Sequence, residues 1–361
     1  MAPAGKIRVL IVDDSVFMRG AIQKILEADP RLSVAGLARD GLECVEQVES
    51  LRPDVVTLDL NMPRMDGAAA LRLIMRRRPT PVVMLSAYTR DGARETFEAL
   101  AAGAVDFIAK PSGEVSAADF NVIAPVLVEK VVQAATAVPR ELLPIPSPAT
   151  NRQPKTIPPK SGSTTGSVAI VEEPPQASAR VVVIGISAGG PSTLARVLPT
   201  LPADIHFSLL IVQHMPAQFT AALSERLDAQ SAIRVREAKN RDRPRQGEAL
   251  IAPGDRHLEF DRGGIIRIYD GPEVNGCRPS VDVAMKSAAR IYGSRAVGII
   301  MTGMGKDGSE GLLALRKAGC KTLAQDEGSC VVYGMPRAAV EAGAVDEVFC
   351  LDELPARLLR L

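Results

Sequence analysis

Three carboxylates stand at the ends of short, largely β-branched apolar runs: Asp13 and Asp14 after the run at 7–12, and Asp59 after the run at 55–58. Residues so placed share the carboxyl edge of a parallel sheet, and the fold is expected to bring the three acids together. Clustered carboxylates repel one another and hold their protons unless a cation neutralises them; a hard divalent ion such as Mg²⁺ suits an all-oxygen donor set. One of the acids can then act as a nucleophile toward phosphorus. Ser86 ends the run at 82–85 and Lys110, followed by Pro111, ends the run at 105–108, which adds a hydroxyl and a point charge for phosphoryl oxygens. Singly, each has a plainer explanation: Asp14 or Ser15 caps a helix, and Asp59-Leu60-Asn61-Met62-Pro63 is a solvated loop. Only a phosphoryl site accounts for the acid pair, the single acid, the hydroxyl and the lysine following the first, third, fourth and fifth runs in turn.

A second group lies in the C-terminal half. Gly185-Ile186-Ser187-Ala188-Gly189 follows the run at 180–184 and precedes a helix opening at Pro191. This is G-x-S-x-G in its strand, tight turn and helix setting, where a serine hydroxyl is held up beside helix-start N–H groups able to receive an oxyanion. A dinucleotide loop fails on two counts: position 187 is not glycine, and the next strand ends at His214 rather than at an acid for a ribose hydroxyl. Three histidines are available as general base. His206 precedes its strand and belongs at the opposite edge, His257 follows the Ala252-Pro253-Gly254 turn, and His214 ends the strand at 207–212. His214 therefore shares an edge with Ser187 and is the candidate. The carboxylate that would orient it should follow another strand. Asp307 does so in the loop Thr302-Gly303-Met304-Gly305-Lys306-Asp307-Gly308 behind the run at 296–301, with Asp282 and Asp326 as alternatives. Asp282 falls just after Ser280 at an expected helix start, where capping accounts for both residues.

The elements that must hold these groups are α/β in both halves. Strands at 7–12, 32–37, 55–58, 82–85 and 105–108 alternate with amphipathic helices starting near Ser15, Gly41, Gly67, Arg90 and Ser116. Five βα units of this kind make a doubly wound parallel sheet. Strands at 180–184, 207–212 and 296–301, with a more irregular stretch at 249–268, repeat the style. Nine of the 27 prolines fall between 139 and 179 among Ser, Thr, Gly, Lys and Glu. That segment is expected to be a linker with a span on the order of 35 Å as a flexible coil, separating domains at 1–138 and 180–361. Across the 361 residues, Lys+Arg is 43 against Asp+Glu 42, so no global field favours nucleic acid or an anionic membrane surface. Aromatics at 3% with no Trp leave little for a base-stacking platform. No apolar run approaches the ~18 residues of a membrane span, and a signal peptide would not carry Asp13 and Asp14 behind its apolar region, so a cytoplasmic protein without membrane insertion is expected. Cys44, Cys277, Cys320, Cys330 and Cys350 form no CxxC and fit reduced thiols better than a disulfide frame or a zinc site; no role is assigned to them.

The acidic pocket with Ser86 and Lys110 resembles the response-regulator receiver domain across essentially the whole first block. That resemblance implies a flavodoxin-like (βα)5 fold and Asp59 as acceptor of phosphate from a chemotaxis histidine kinase. It further implies Mg²⁺ held by Asp13, Asp14, Asp59 and the backbone carbonyl of Asn61, with Ser86 and Lys110 on the phosphoryl group. Phe107 falls in the slot that often carries an aromatic switch residue. Through GISAGGP, VQHMP, APGDRH, CRPSVDV, MTGMGKDG and AQDEGSCVVYGMP, nearly all of the second block resembles the catalytic domain of chemotaxis protein-glutamate methylesterases. The order Ser, His, Asp departs from that of the α/β-hydrolases. The second resemblance implies Ser187 as nucleophile, His214 as general base and then acid, Asp307 as its orienting carboxylate, and a Met304 N–H in the oxyanion hole. It places Arg278, Ser280 and the stretch around His257 along the cleft and requires no cofactor there. The implied reaction is hydrolysis of γ-glutamyl methyl esters on methyl-accepting chemoreceptors, with deamidation of particular glutamines as a second activity. Control by phosphorylation of the first domain would serve sensory adaptation. A non-enzymatic adaptor would not need the intact Ser, His and Asp set, and a transcription regulator would need a basic helix-turn-helix that is missing.

Overall fold

The strands of the N-terminal domain bury side chains on both faces, as a parallel sheet covered by helices on both sides requires. The computed structural model describes residues 5–87, 89–110, 117–137 and 180–361; the expected linker at 139–179 lies outside the described residues. In the first domain β1 (Ile7–Val12), α1 (Val16–Glu27), β2 (Leu32–Ala38), α2 (Gly41–Leu51), β3 (Val55–Asp59), α3 (Gly67–Arg77), β4 (Val82–Ala87), α4 (Arg90–Ala101), β5 (Asp106–Lys110) and α5 (Ala117–Ala134) alternate as anticipated. The strands pair in parallel in the order β2-β1-β3-β4-β5. Alternation along β1 sends Leu10 and Val12 into one apolar layer and Val9 and Ile11 into the other. β3, β4 and β5 run one or two residues past the apolar runs, so Asp59, Ser86 and Lys110 lie within their strands at the carboxyl edge.

The C-terminal part contains β6 (Arg180–Ile186), α6 (Gly190–Val197), β7 (Phe207–Gln213), α7 (Ala217–Gln230), β8 (Arg234–Glu237), β9 (Glu248–Ile251), β10 (His257–Phe260), β11 (Ile266–Tyr269), α8 (Val281–Tyr292), β12 (Ala296–Ile300), α9 (Ser309–Lys317), β13 (Lys321–Gln325), α10 (Met335–Glu341), β14 (Glu347–Phe349) and α11 (Leu354–Leu358). Seven of these strands form one parallel sheet in the order β14-β13-β12-β6-β7-β9-β8. The irregular stretch at 249–268 resolves into β9 of that sheet and the separate antiparallel pair β10 and β11. The chain builds outward from β6 through β7 on one side and returns with β12 on the other, so strand order reverses between β6 and β12; in the first sheet it reverses between β1 and β3. Crevices open at such reversals. Both groups of chemically capable residues stand there.

The two α/β units touch. α4 lies against α6 and α7. The ring of Phe219 in α7 meets Phe107 at 4.4 Å between centroids and Phe97 edge-on at 6.4 Å. Ala188 and Val332, with Met304 and Val331 packed against them, share an apolar cluster with Ile108, Leu127 and Val131 of β5 and α5. Among the described residues no helix is long and apolar enough to cross a membrane.

Candidate active site

At the β1/β3 reversal the carboxylates of Asp13, Asp14 and Asp59 offer ligand atoms that all lie within 4.8 Å of one another. Lys110 reaches across from β5, its Nζ 2.8 Å from Asp59 Oδ1 and 2.7 Å from Asp13 Oδ2. Burial pushes the Asp59 carboxyl up to about 6, helped by repulsion from Asp13 and Asp14 and opposed by Lys110. Burial also works against charge on Lys110, but Asp59 and Asp13 outweigh it and hold the ammonium above the ordinary lysine value. Asp13 Oδ2 is buried with the lysine charge beside it and no hydrogen-bond donor aligned on it. Oxygen donors with spare lone pairs, so close together, fit a hard divalent cation such as Mg²⁺. The Ser86 hydroxyl faces elsewhere: it donates to Gly92 O at 3.1 Å and accepts from Thr96 Oγ1 at 2.7 Å, both in α4.

At the second crevice, Ser187 stands directly behind β6 on a sharp turn closed by Gly190 N–H donating to Ser187 O at 2.8 Å. Gly189 sits at φ 74°, the left-handed region that favours glycine, and a Cβ there would meet Val331 at 2.5 Å. Neighbouring elements pin the turn. The Ser187 N–H donates to Thr302 O at 3.0 Å, Thr302 Oγ1 donates to Ala188 O at 2.9 Å, and Gln213 Nε2 donates to Ser187 O at 2.9 Å and His214 O at 3.2 Å. A Cβ on Gly303 would come within 2.8 Å of the Ser187 Cβ, so the loop behind β12, which continues into Met304, lies directly on the serine. Among the described residues neither the Met304 N–H nor Ser187 Oγ has a hydrogen-bond partner.

His214 follows β7, half-buried, and its Nε2 donates to Asp307 Oδ2 at 2.9 Å. The other ring nitrogen, Nδ1, faces Cys277 Sγ at 3.7 Å. Asp307 is buried at the N-terminus of α8, where it also accepts from Val281 N–H at 2.7 Å, Ser280 Oγ at 2.8 Å, Asn275 Nδ2 at 3.2 Å and Asp282 N–H at 3.3 Å. Burial alone would raise its pKa; His214 and these donors overcome burial and keep it below the ordinary carboxylate value. Burial likewise disfavours charge on His214, but the bonds to Asp307 and Cys277 prevail and push the imidazole up to about 9.

Of the two alternative carboxylates, Asp282 turns its side chain to Gly311 N–H at 2.6 Å and Asn275 Nδ2 at 2.8 Å, and Asp326 accepts from Ser329 N–H at 3.1 Å. Neither reaches His214. His206 is exposed at the amino end of β7. Two expectations for the cleft wall need correction. Ser280 is wholly buried because its hydroxyl both caps α8 and holds Asp307. His257 is buried too, its ring donating to Pro272 O at 2.8 Å. Arg278 is half-buried and donates to Gly271 O at 2.7 Å. Asn275, Cys277, Gln213 and Thr302 surround the His214 and Ser187 turns without having been singled out in the sequence. The one local signal was Asn275-Gly276, a dipeptide that favours a tight hairpin turn.

Both halves of the chain match known protein families. Residues 182–358 match the CheB methylesterase family and residues 9–117 the response regulator receiver domain. A protein-glutamate methylesterase/protein-glutamine glutaminase of Symbiobacterium thermophilum is 48% identical over 360 residues, covering 98% of this chain and 96% of the relative. One of the same description from Pyrococcus abyssi is 43% identical over 359 residues, covering 98% and 93%. The crystal structure of the Thermotoga maritima CheB methylesterase catalytic domain is 39% identical, with 51% of this chain and 98% of that one covered at a TM-score of 0.49.

Proposed function

Because the chain belongs to the CheB methylesterase family and carries a response-regulator receiver ahead of that domain, we propose that it demethylates glutamyl methyl esters of methyl-accepting chemoreceptors with Ser187, His214 and Asp307. The observation that carries this is the 2.9 Å bond from His214 Nε2 to Asp307 Oδ2 on the edge that also holds Ser187. With Nε2 committed to the carboxylate, Nδ1 is the base. Ser187 Oγ bonds to the γ-carbonyl carbon and its proton passes to Nδ1, while the Met304 N–H meets the developing oxyanion. Collapse breaks the ester bond, and His214 returns the proton to the departing methoxide, which leaves as methanol. Water, deprotonated by the same nitrogen, then cleaves the acyl-serine to glutamate. A glutamine side chain would follow the same course with ammonia as the leaving group.

Control is assigned to the receiver. Asp59 accepts phosphate from a chemotaxis histidine kinase, with Lys110 and Ser86 contacting the phosphoryl oxygens. Asp13, Asp14, Asp59 and the Asn61 carbonyl would hold Mg²⁺, which supplies neutralising charge when bound. The packing of β5 and α5 into one cluster with Ala188 and Met304 supports the view that the resting receiver restricts the serine. Capture of the Ser86 hydroxyl by a phosphoryl group would break its bonds to α4, the helix that lies on α6 and α7. The protein would act in the cytoplasm on receptor glutamates exposed there. Methanol release from methylated receptor membranes tests the chemistry: Ser187→Ala should abolish it, release surviving that change would refute Ser187 as the nucleophile, and a wild type that releases none would leave only an adaptor role.

A further inference from the structure

We propose that the esterase centre doubles as an inhibitory site for a thiophilic divalent cation of the zinc class, held between Cys277 Sγ and His214 Nδ1. The inhibitory effect rests on His214 being the general base; the binding does not. A tight hairpin builds the site: Val274 and Cys277 exchange both backbone hydrogen bonds, at 3.1 and 3.0 Å, around Asn275 and Gly276 at φ 55° and 70°. That turn delivers the Cys277 thiol to the histidine and the Asn275 amide to Asp307 at once. Zinc binds imidazole nitrogen at about 2.0–2.1 Å and thiolate sulfur at about 2.3 Å, so a tetrahedral angle separates the two donors by about 3.6 Å. Here they are 3.7 Å apart. The rest of the arrangement also suits a metal. Asp307 occupies Nε2, fixes the ring and leaves Nδ1 pointing at the thiol, the carboxylate and histidine relation found behind zinc ligands. His214 and Cys277 are both partly exposed, whereas Cys44 and Cys320 are buried. Ligand atoms of His214, Cys277 and Asp307 all fall within 4.8 Å of one another.

A nitrogen and sulfur pair selects soft ions, in contrast to the oxygen-only pocket of the receiver. On entry the ion takes the place of the thiol proton and of any proton on Nδ1, both of which leave to solvent. The lone pair needed to accept the Ser187 proton is then occupied.

The test titrates the full chain with Co²⁺ in excess Mg²⁺, reading sulfur-to-metal charge-transfer absorption, and with Zn²⁺, reading methanol release against each protein's own metal-free rate. The wild type should develop the absorption, Cys277→Ala and Cys277→Ser should lack it, and Zn²⁺ should inhibit the wild type at concentrations at least about tenfold lower than either variant. No absorption in the wild type, or equal Zn²⁺ sensitivity in all three, overturns the site. Ser187→Ala separates the two ideas: its absorption should persist, and absorption lost with that hydroxyl overturns the proposed ligand pair, whereas methanol release surviving there refutes the nucleophile and leaves the metal site standing.

Discussion

His214 is drawn two ways, by burial against charge and by Asp307 toward it, and the outcome near 9 makes it an imidazolium through most of the neutral range. A general base works only when neutral. Its neutral fraction grows as pH rises toward that value, so kcat/KM should climb well beyond the ordinary histidine value of 6.5 and level off near 9. Asp307→Asn removes the carboxylate that supports the raised pKa, which should move the rising limb to lower pH while the plateau falls by on the order of 10⁴-fold. A wild-type profile already flat at pH 7 contradicts this account of the histidine. Asp307 is itself prepared for its part by five donors, among them two N–H groups at the start of α8. Such a carboxylate need not reorganise as charge develops on the ring.

The turn between β6 and α6 is the element on which the serine depends. Gly189→Ala would put a Cβ into a left-handed backbone and against Val331, at a cost of roughly 1–3 kcal/mol that should appear as a lower denaturation midpoint together with lost activity. An unchanged midpoint would mean the turn relaxes freely. Elements at this scale were legible where burial dictated them. β1, β3, β4, β6, β7 and β12 are central or nearly so and apolar along most of their length, and the residues at their carboxyl ends group together from the sequence alone. β8 and β14 edge the second sheet, and like edge strands generally they are short and charged, with no apolar run to announce them. β13 escaped for a similar reason, beginning at Lys321 with only a brief apolar centre. Cys277 and Asn275 were invisible as site residues because a hairpin turn, rather than a strand end, carries them to His214 and Asp307, and nothing in the spacing of 214, 275 and 307 encodes that approach.

At the scale of the whole molecule, the receiver and the catalytic unit are in direct contact. Phe219 of α7 is buried between Phe97 and Phe107 of the receiver, so the receiver's β5 and α4 are coupled to the catalytic unit through aromatic packing. Phe219→Ala should weaken that packing and raise the unphosphorylated rate of methanol release, while a lower rate in a protein of unchanged fold would show that the contact assists rather than restrains. The proposed control by the receiver acts through access to Ser187. Its most direct test is the initial rate of methanol release from methylated receptor membranes, with and without a small phosphodonor, by the wild type, by Asp59→Asn and by a chain lacking residues 1–179. The wild type should be stimulated, Asp59→Asn should stay at the resting rate, and the shortened chain should exceed that rate without phosphodonor. A shortened chain no faster than the resting wild type, or stimulation that survives Asp59→Asn, would contradict it.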